Sequence, residues 1–374
     1  MSGALVLALV MAQAAPPAAE EEVTALTGLR LLTVSHGEIQ GGTMLLRGDK
    51  IAAVGEDVKV PPGARVLDRT GMTAFPGLVN PLSRLGMSDA PGAGGGAQQQ
   101  ASDEFNPVSE AISQAARSGT TVFALQPSGT GIAGRGAFVK PVGWSRTQQV
   151  LEKLSFLRIA LQPGSAGKES LKQALEGARK LLDADRRKLD DKTLPLVQFL
   201  KGELIGVVEA SSPAELLHFW QVMEAFPECT PRMVFAVSPD AYKAASALGL
   251  RKARVVLRPV LAFAAFTRER INPAAELEKA GAQVAFAPVS EAPDGLDGMF
   301  FRLAELVKYG LSREAALRGV TLSPAEMLGI DGRCGSLDSG KDADLLLLSG
   351  DPLSPQTQVR EVYINGRPVF PGDR

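Results

Sequence analysis

The middle of the chain alternates short apolar runs with amphipathic stretches, and this alternation limits the folds open to it. Strands that alternate with helices favour parallel βαβ units, so the expected fold class is α/β, and 374 residues favour a (β/α)8 TIM-type barrel. An open doubly wound sheet is the alternative, but no strand is followed by the spaced glycines of a dinucleotide site. The apolar runs are 121–125, 204–208, 233–237, 254–257 and 283–287, and the helical stretches include 213–226, 240–248 and 299–309.

Both ends of the chain are rich in strands instead. Apolar runs of strand length occur at 29–34, 44–47, 51–54 and 65–67, and again at 344–348 and 362–370. Asn365-Gly366 between apolar residues predicts a tight hairpin. We therefore expect a small β-sandwich built from 15–75 and 335–374, with the barrel inserted as residues 76–334. The glycine-rich stretch 129–136 is predicted as a tight turn over the barrel mouth, not a phosphate-binding loop.

The first residues have the features of a targeting segment. Ala4 to Ala12 is apolar, and Ala12-Gln13-Ala14 fits the small-X-small rule for cleavage, so residues 1–14 are predicted to be a signal peptide. We therefore expect the protein to be exported and to be periplasmic or extracellular. The alternative is that these first residues are a disordered alanine-rich tail. The apolar run is shorter than the ~20 residues that span a bilayer, so no membrane span is expected.

Charge and cysteine content exclude several classes. The formal net charge of −1 gives no basis for binding nucleic acid. Cys229 and Cys334 are the two cysteines, and two buried free thiols are favoured over a disulfide because the geometry of a bridge is strict.

Three segments carry a family resemblance. Residues 76–86 (Pro-Gly-Leu-Val-Asn-Pro-Leu-Ser-Arg-Leu-Gly), 321–329 and 335–345 resemble the amidohydrolase superfamily, and the chain is most similar to its secreted imidazolonepropionase-like branch. The resemblance implies a barrel with a sandwich and a zinc or other divalent metal. Such a metal would lower the pKa of a bound water that attacks cyclic amides and other non-peptide C–N bonds.

The same resemblance identifies where metal ligands would lie. Leu82 and Arg84 occupy the positions of the paired histidines on the first barrel strand, Glu209 that of the fifth-strand histidine, and Val289 that of the eighth-strand aspartate. A leucine, an arginine and a valine cannot ligate a divalent ion. His36 and His218 fall outside the site. No cofactor is therefore expected.

Residues at the carboxyl ends of the barrel strands should still face a pocket. We hypothesise that Arg84 and Glu209 pair, so that a cation replaces the missing metal charge. Glu209 with Asp294 is the candidate acid–base pair. The expected pocket residues are Asn80, Ser83, Arg84, Glu209, Ser238 and Asp240, with Gln126, Glu291 and Asp294 nearby.

Three functions remain open from the sequence. The chain is expected to be an inactive amidohydrolase homologue, with an active relative or a second copy of itself as partner. One alternative is an active hydrolase with a metal-free or single-carboxylate site. The other is an extracytoplasmic protein that binds a small molecule in the old pocket.

Overall fold

The protein is described by a computed structural model over residues 22–87, 96–143, 145–151, 156–229, 231–264 and 266–370. The predicted signal peptide, residues 1–14, lies outside these ranges. Within them, no helix combines the length and the apolar character needed to cross a membrane.

The described residues form a mixed α/β structure. The strands are β1 (Val23–Leu32), β2 (Glu38–Arg47), β3 (Lys50–Gly55), β4 (Arg65–Asp68), β5 (Thr73–Pro76), β6 (Leu78–Ser83), β7 (Thr120–Leu125), β8 (Gly131–Arg135), β9 (Ala137–Val139), β10 (Phe156–Ala160), β11 (Ile205–Ala210), β12 (Met233–Val237), β13 (Arg254–Leu257), β14 (Ala262–Phe263), β15 (Arg270–Ile271), β16 (Gln283–Phe286), β17 (Leu345–Leu348), β18 (Val359–Ile364) and β19 (Arg367–Phe370).

The helices cover the sequence between these strands. They are α1 (Ala101–Glu104), α2 (Glu110–Arg117), α3 (Arg146–Gln149), α4 (Ser165–Arg179), α5 (Leu194–Leu200), α6 (Pro213–Met223), α7 (Ala245–Leu250), α8 (Pro273–Ala280), α9 (Pro293–Asp297), α10 (Met299–Lys308), α11 (Arg313–Arg318) and α12 (Leu322–Leu328), with 3-10 turns at Arg186–Lys188 and Pro239–Ala244.

Helix boundaries follow local sequence signals. Helix α6 begins after Ser212, whose side chain accepts a hydrogen bond from Glu215 N, with proline next in the chain. Asn272 caps α8 in the same way, and Gly281 ends that helix with a left-handed backbone (φ +99°). The predicted helix at 240–248 is instead a 3-10 turn followed by α7.

Strands from both ends of the chain share one sheet, in the order β19-β18-β17-β5-β1-β2-β3, with β4 pairing β1. The last strand, β3, also hydrogen bonds to residues 340–341 (Ile51 N to Lys341 O, 2.9 Å), and the strands of this sheet share one apolar cluster. The predicted hairpin is confirmed: Asn365 and Gly366 join β18 to β19 and both have positive φ.

The strands of the middle region form two principal sheets, β6-β7-β9 and β8-β10-β11-β12-β13-β16. The predicted strands at 121–125, 204–208, 233–237, 254–257 and 283–287 correspond to β7, β11, β12, β13 and β16 and are confirmed. The glycine-rich stretch is not simply a turn, because it forms β8, and β8 and β9 run antiparallel to β10 and β7. Between them a Cβ at Gly136 would overlap the ring of Phe156, so the close backbone approach requires glycine.

One apolar cluster, here called the interior cluster, takes side chains from eight strands of the middle region. Both ends of this strand set hydrogen bond to one segment, since Val79 N donates to Val320 O (2.9 Å) and Phe286 N to Gly319 O (2.7 Å). The strand residues of the cluster are Val79, Val122, Ala124, Phe138, Phe156, Ile205, Val207, Val234, Ala236, Val256 and Ala285.

A fully buried ammonium group connects β9 to the sheet built from both ends. Lys140 Nζ lies 2.7 Å from an oxygen of Asp342 and 2.7 Å from an oxygen of Asp344, and donates to Asn365 Oδ1 (2.6 Å). Burial raises the pKa of Asp344, and Lys140 offsets this only in part. This cluster connects the end of β9 to the segment that leads into β17 and to the β18–β19 hairpin.

Candidate functional site

The strands of the middle region place polar side chains directly above the interior cluster. Successive side chains of a strand alternate between its two faces. Within each strand we therefore take the last residue that belongs to the interior cluster; the residue two positions after it points to the same face. Five residues meet this rule: three directly follow β7, β12 and β13, and two lie within β10 and β11. This set, here called the mouth layer, comprises Gln126, Arg158, Glu209, Ser238 and Arg258.

Arg158 and Glu209 form an ion pair in this layer. Arg158 Nη2 lies 2.5 Å and Nε 3.2 Å from Glu209 Oε2. Arg158 Nη1 also donates to the carbonyl oxygens of Pro127 (2.9 Å) and Gly129 (2.8 Å). The Arg158 side chain is 13% exposed and that of Glu209 is 49% exposed, so the guanidinium is largely buried while the carboxylate still meets solvent.

The hypothesis that Arg84 pairs with Glu209 is wrong. Arg84 is exposed and its Nη2 donates to Ser128 Oγ (3.0 Å). Strand β6, which contains Ser83 and precedes Arg84, belongs to a different sheet from β11, whereas β10 is the direct neighbour of β11. Neighbouring strands lie about 4.8 Å apart, so Arg158 reaches Glu209 first.

A second carboxylate, Glu291, lies beside the end of β6. Its Oε1 accepts hydrogen bonds from Asn80 Nδ2 (2.8 Å) and Ser83 Oγ (2.6 Å), and its Oε2 from Arg84 N (2.8 Å). Asn80 and Ser83 are 3% and 0% exposed. Burial raises the pKa of Glu291, and these three hydrogen bonds only partly oppose it. Asn80, Ser83 and Arg84 therefore do meet, around Glu291.

Of the remaining predicted site residues, Asp240 and Asp294 do not join these groups. Asp240 is exposed and pairs with Lys243 (2.6 Å). Asp294 is exposed in the first turn of α9, without a side-chain hydrogen bond or ion pair to any described residue. Because Glu209 is held by Arg158, the geometry does not assemble the acid–base pair of Glu209 with Asp294. Ser238 is half-buried in the mouth layer.

The sequence interpretation missed Arg158 and Arg258. A signal for the first was present, because Phe156-Leu157-Arg158-Ile159-Ala160 places one arginine on the interior side of an otherwise apolar strand. Arg258 likewise follows the buried run of β13 at an interior position, and its Nη1 donates to Val289 O (3.1 Å).

The donor set of the mouth does not fit a divalent metal. Leu82 packs against the interior cluster, and Arg84 brings a positive charge. Glu209 and Glu291 are bound by an arginine and by three hydrogen-bond donors. Across the ranges described, no three or more His, Cys, Asp and Glu side chains are grouped to hold a metal ion. The histidines lie elsewhere: His36 contacts Asp338 (3.1 Å), and His218 is exposed on α6.

Comparison with known proteins agrees with this architecture. A family model described as "Amidohydrolase family" matches residues 306–370. Imidazolonepropionase of Acidiphilium cryptum (strain JF-5) is 26% identical over 365 residues, covering 85% of this chain and 89% of that protein. Amidohydrolase tasK of Hapsidospora irregularis is 40% identical over 62 residues, which are 17% of this chain and 6% of the relative.

A solved structure extends the similarity to the fold. The crystal structure of an amidohydrolase from Thermotoga maritima MSB8 superimposes with a TM-score of 0.80 at 23% identity, covering 93% of this chain and 100% of that one. The family model, the imidazolonepropionase and the Thermotoga structure together support a place in the amidohydrolase superfamily. The similarity over 85% of the chain to an imidazolonepropionase supports the imidazolonepropionase-like branch.

Proposed function

We propose that this chain is an amidohydrolase homologue that does not carry out metal-dependent hydrolysis. The observation that carries the proposal is the Arg158–Glu209 ion pair, with Arg158 Nη2 2.5 Å from the carboxylate. In the family pattern, the position of Glu209 supplies a metal ligand. Here that position holds a carboxylate neutralised by a guanidinium, which is always charged and repels a divalent cation at short range.

The proposal includes a closed (β/α)8 barrel around the interior cluster. Three observations support closure: eight strands contribute to one cluster, β6 and β16 both bond to residues 319–320, and the Thermotoga structure superimposes over 93% of the chain. Closure brings the carboxyl ends of the strands into one ring, so that the mouth layer and Glu291 belong to a single opening.

An active hydrolase without metal would need a free acid or base at this opening. Among the described carboxylates near this opening, Glu291 has a pKa that burial raises. Its two oxygens already accept from Asn80, Ser83 and the Arg84 backbone, so it serves to fix the end of β6 against the segment after β16. A positioning role for Glu291 accounts for all three contacts.

The test is metal content together with hydrolysis. The purified chain is dialysed against zinc and then against metal-free buffer, and zinc is measured per chain. Hydrolysis of imidazolonepropionate is followed in parallel, with the Acidiphilium imidazolonepropionase as the positive control. We expect below about one tenth of an equivalent of zinc and no turnover. One equivalent of zinc with turnover that chelation abolishes would overturn the proposal; turnover that survives chelation would instead favour a metal-free hydrolase.

A further inference from the structure

Two arginines at the mouth form no salt bridge with another described residue, although the charge of Arg84 acts on the nearby Glu291 carboxylate and lowers its pKa. Arg84 Nη2 donates to a hydroxyl, Ser128 Oγ (3.0 Å), and Arg258 Nη1 donates to a carbonyl, Val289 O (3.1 Å). Neither guanidinium makes an ion pair with another residue of the described chain, whereas Arg158 is paired with Glu209. Both side chains are exposed, so their charges are open to a molecule that enters from solvent.

Both arginines contact the segment that follows β16. Arg84 contacts this segment through its backbone N, which donates to Glu291 Oε2 (2.8 Å), and Arg258 contacts it through the Val289 carbonyl. The two attachment points, Val289 and Glu291, are two residues apart in sequence. The mouth thus carries the three guanidiniums of Arg84, Arg158 and Arg258 against the two carboxylates of Glu209 and Glu291, an excess of positive charge.

A buried acceptor beside Arg84 lacks a donor. Gln126 is 5% exposed, and its Nε2 donates to Pro81 O (3.1 Å), which fixes the orientation of the amide. Its Oε1 is buried and accepts no hydrogen bond from the described residues. The backbone N of Gln126 also donates to Ser83 O (2.8 Å), so the Gln126 backbone lies next to the residue before Arg84. An unsatisfied buried carbonyl costs about 1–3 kcal/mol, so a donor supplied from outside stabilises it.

We infer that the mouth binds a small anion that carries its own O–H donor, with Arg84 and Arg258 holding the charge and Gln126 Oε1 accepting the proton. This rests on the proposed function, because a mouth without a hydrolytic metal is free to retain its ligand. Hydrogenphosphate and an α-hydroxycarboxylate share this chemistry. Sulfate and a simple carboxylate have the charge without the donor.

The experiment uses two matched pairs of anions on the full chain at pH 7. Isothermal titration calorimetry compares inorganic phosphate with sulfate, and glycolate with acetate; each pair differs in one hydroxyl. A hydrogen bond that involves a charged group is worth about 1.5–3 kcal/mol, so the donor-bearing member should bind at least about tenfold more tightly. The pair with the larger difference identifies the class of anion. Equal binding within both pairs would overturn the role of Gln126.

Variants separate the charge from the donor. Arg84→Met and Arg258→Met should each weaken every anion at least about tenfold, while Arg186→Met, on a 3-10 turn away from the mouth, should leave binding unchanged. Gln126→Met should keep anion binding and remove the difference within each pair. If the two arginine variants bind like the wild type, or if no anion binds, the inference fails.

These outcomes are distinct from failure of the proposed function. A chain that binds zinc and hydrolyses imidazolonepropionate would refute the non-hydrolytic proposal whatever the calorimetry shows. A zinc-free, inactive chain that binds none of the four anions would leave that proposal standing and would refute the anion site alone.

Discussion

Replacing Lys140 by methionine tests the buried connection between the middle region and the sheet built from both ends. The ammonium lies 2.7 Å from an oxygen of each of Asp342 and Asp344, and all three side chains are at most 2% exposed. Asp342 keeps Lys50 and Arg333 as partners after the substitution. The cost therefore comes mainly from Asp344, which is left without a cation.

The expected loss of stability follows from this difference between Asp342, which keeps two cations, and Asp344, which keeps none. Removing one partner of a buried pair costs about 3–5 kcal/mol. Burial already raises the pKa of Asp344, so this carboxyl can take up a proton when Lys140 is absent, which limits the loss. We expect the free energy of unfolding to fall by about 3 kcal/mol, or roughly a hundredfold in the folding equilibrium.

Urea denaturation of matched variants measures this loss. Lys50→Met removes a cation from the same Asp342, but the Lys50 side chain is 42% exposed, so it should cost at most about 1 kcal/mol. The double variant Lys140→Met/Asp344→Asn should recover part of the loss by removing the unpaired charge. A Lys140→Met loss below 1 kcal/mol, or one equal to that of Lys50→Met, would refute the reasoning.

Three further predictions concern pH, thiols and packing. Because burial raises the pKa of Glu291 above 4.5, the folded chain holds this proton more tightly than the unfolded chain. The contribution of the Glu291 carboxyl to the free energy of unfolding is therefore full below about pH 4.5 and is lost as pH rises through the pKa of the folded state. The urea midpoint of Glu291→Gln should then depend less on pH than that of the wild type. Burial raises the pKa of Cys334 to about 12, so a thiol reagent at pH 8 should label only half-buried Cys229 in the folded protein. In the Cys229→Ser variant, mass spectrometry should therefore show no label until urea is added. A Cβ at Gly77 would overlap a threonine of β7, so Gly77→Ala should lower the free energy of unfolding by about 1–3 kcal/mol. Gly177 lies in open space within α4, so Gly177→Ala should raise the free energy of unfolding by about 0.5–1 kcal/mol. Equal urea midpoints for the two variants would contradict this contrast.

The sequence predicted the strands that are continuous apolar runs. Strands β7, β12 and β13 have long buried stretches, and burial on both faces gives this pattern. Strand β8 (Gly131–Arg135) lacks that pattern, since glycine has low strand propensity, and its pairing with β10 supplies the structure instead. Strand β10 was missed because Arg158 interrupts its apolar run.

The sequence could predict where the residues of the site lie, but not which of them contact one another. Asn80, Ser83 and Arg84 follow from the position of β6 in the family pattern, and they do contact one carboxylate. That this carboxylate is Glu291, more than 200 residues away in sequence, depends on β6 and β16 meeting at residues 319–320. The partner of Glu209 likewise depends on which strand is adjacent to β11, a tertiary fact that no local pattern contains.

The position of β5 has a consequence for the order in which the protein is made. Strand β5 lies between β1 and β17, and its residues Thr73–Pro76 pair antiparallel with Leu345–Leu348, about 270 residues later in the chain. Ribosomes add about 5–20 residues per second, so β5 leaves the ribosome roughly 15–50 s before its partner. During that interval one edge of β5 carries unpaired N–H and C=O groups, which are a template for pairing with other chains. Translation speed through the middle region thus determines how long each nascent chain carries an open edge.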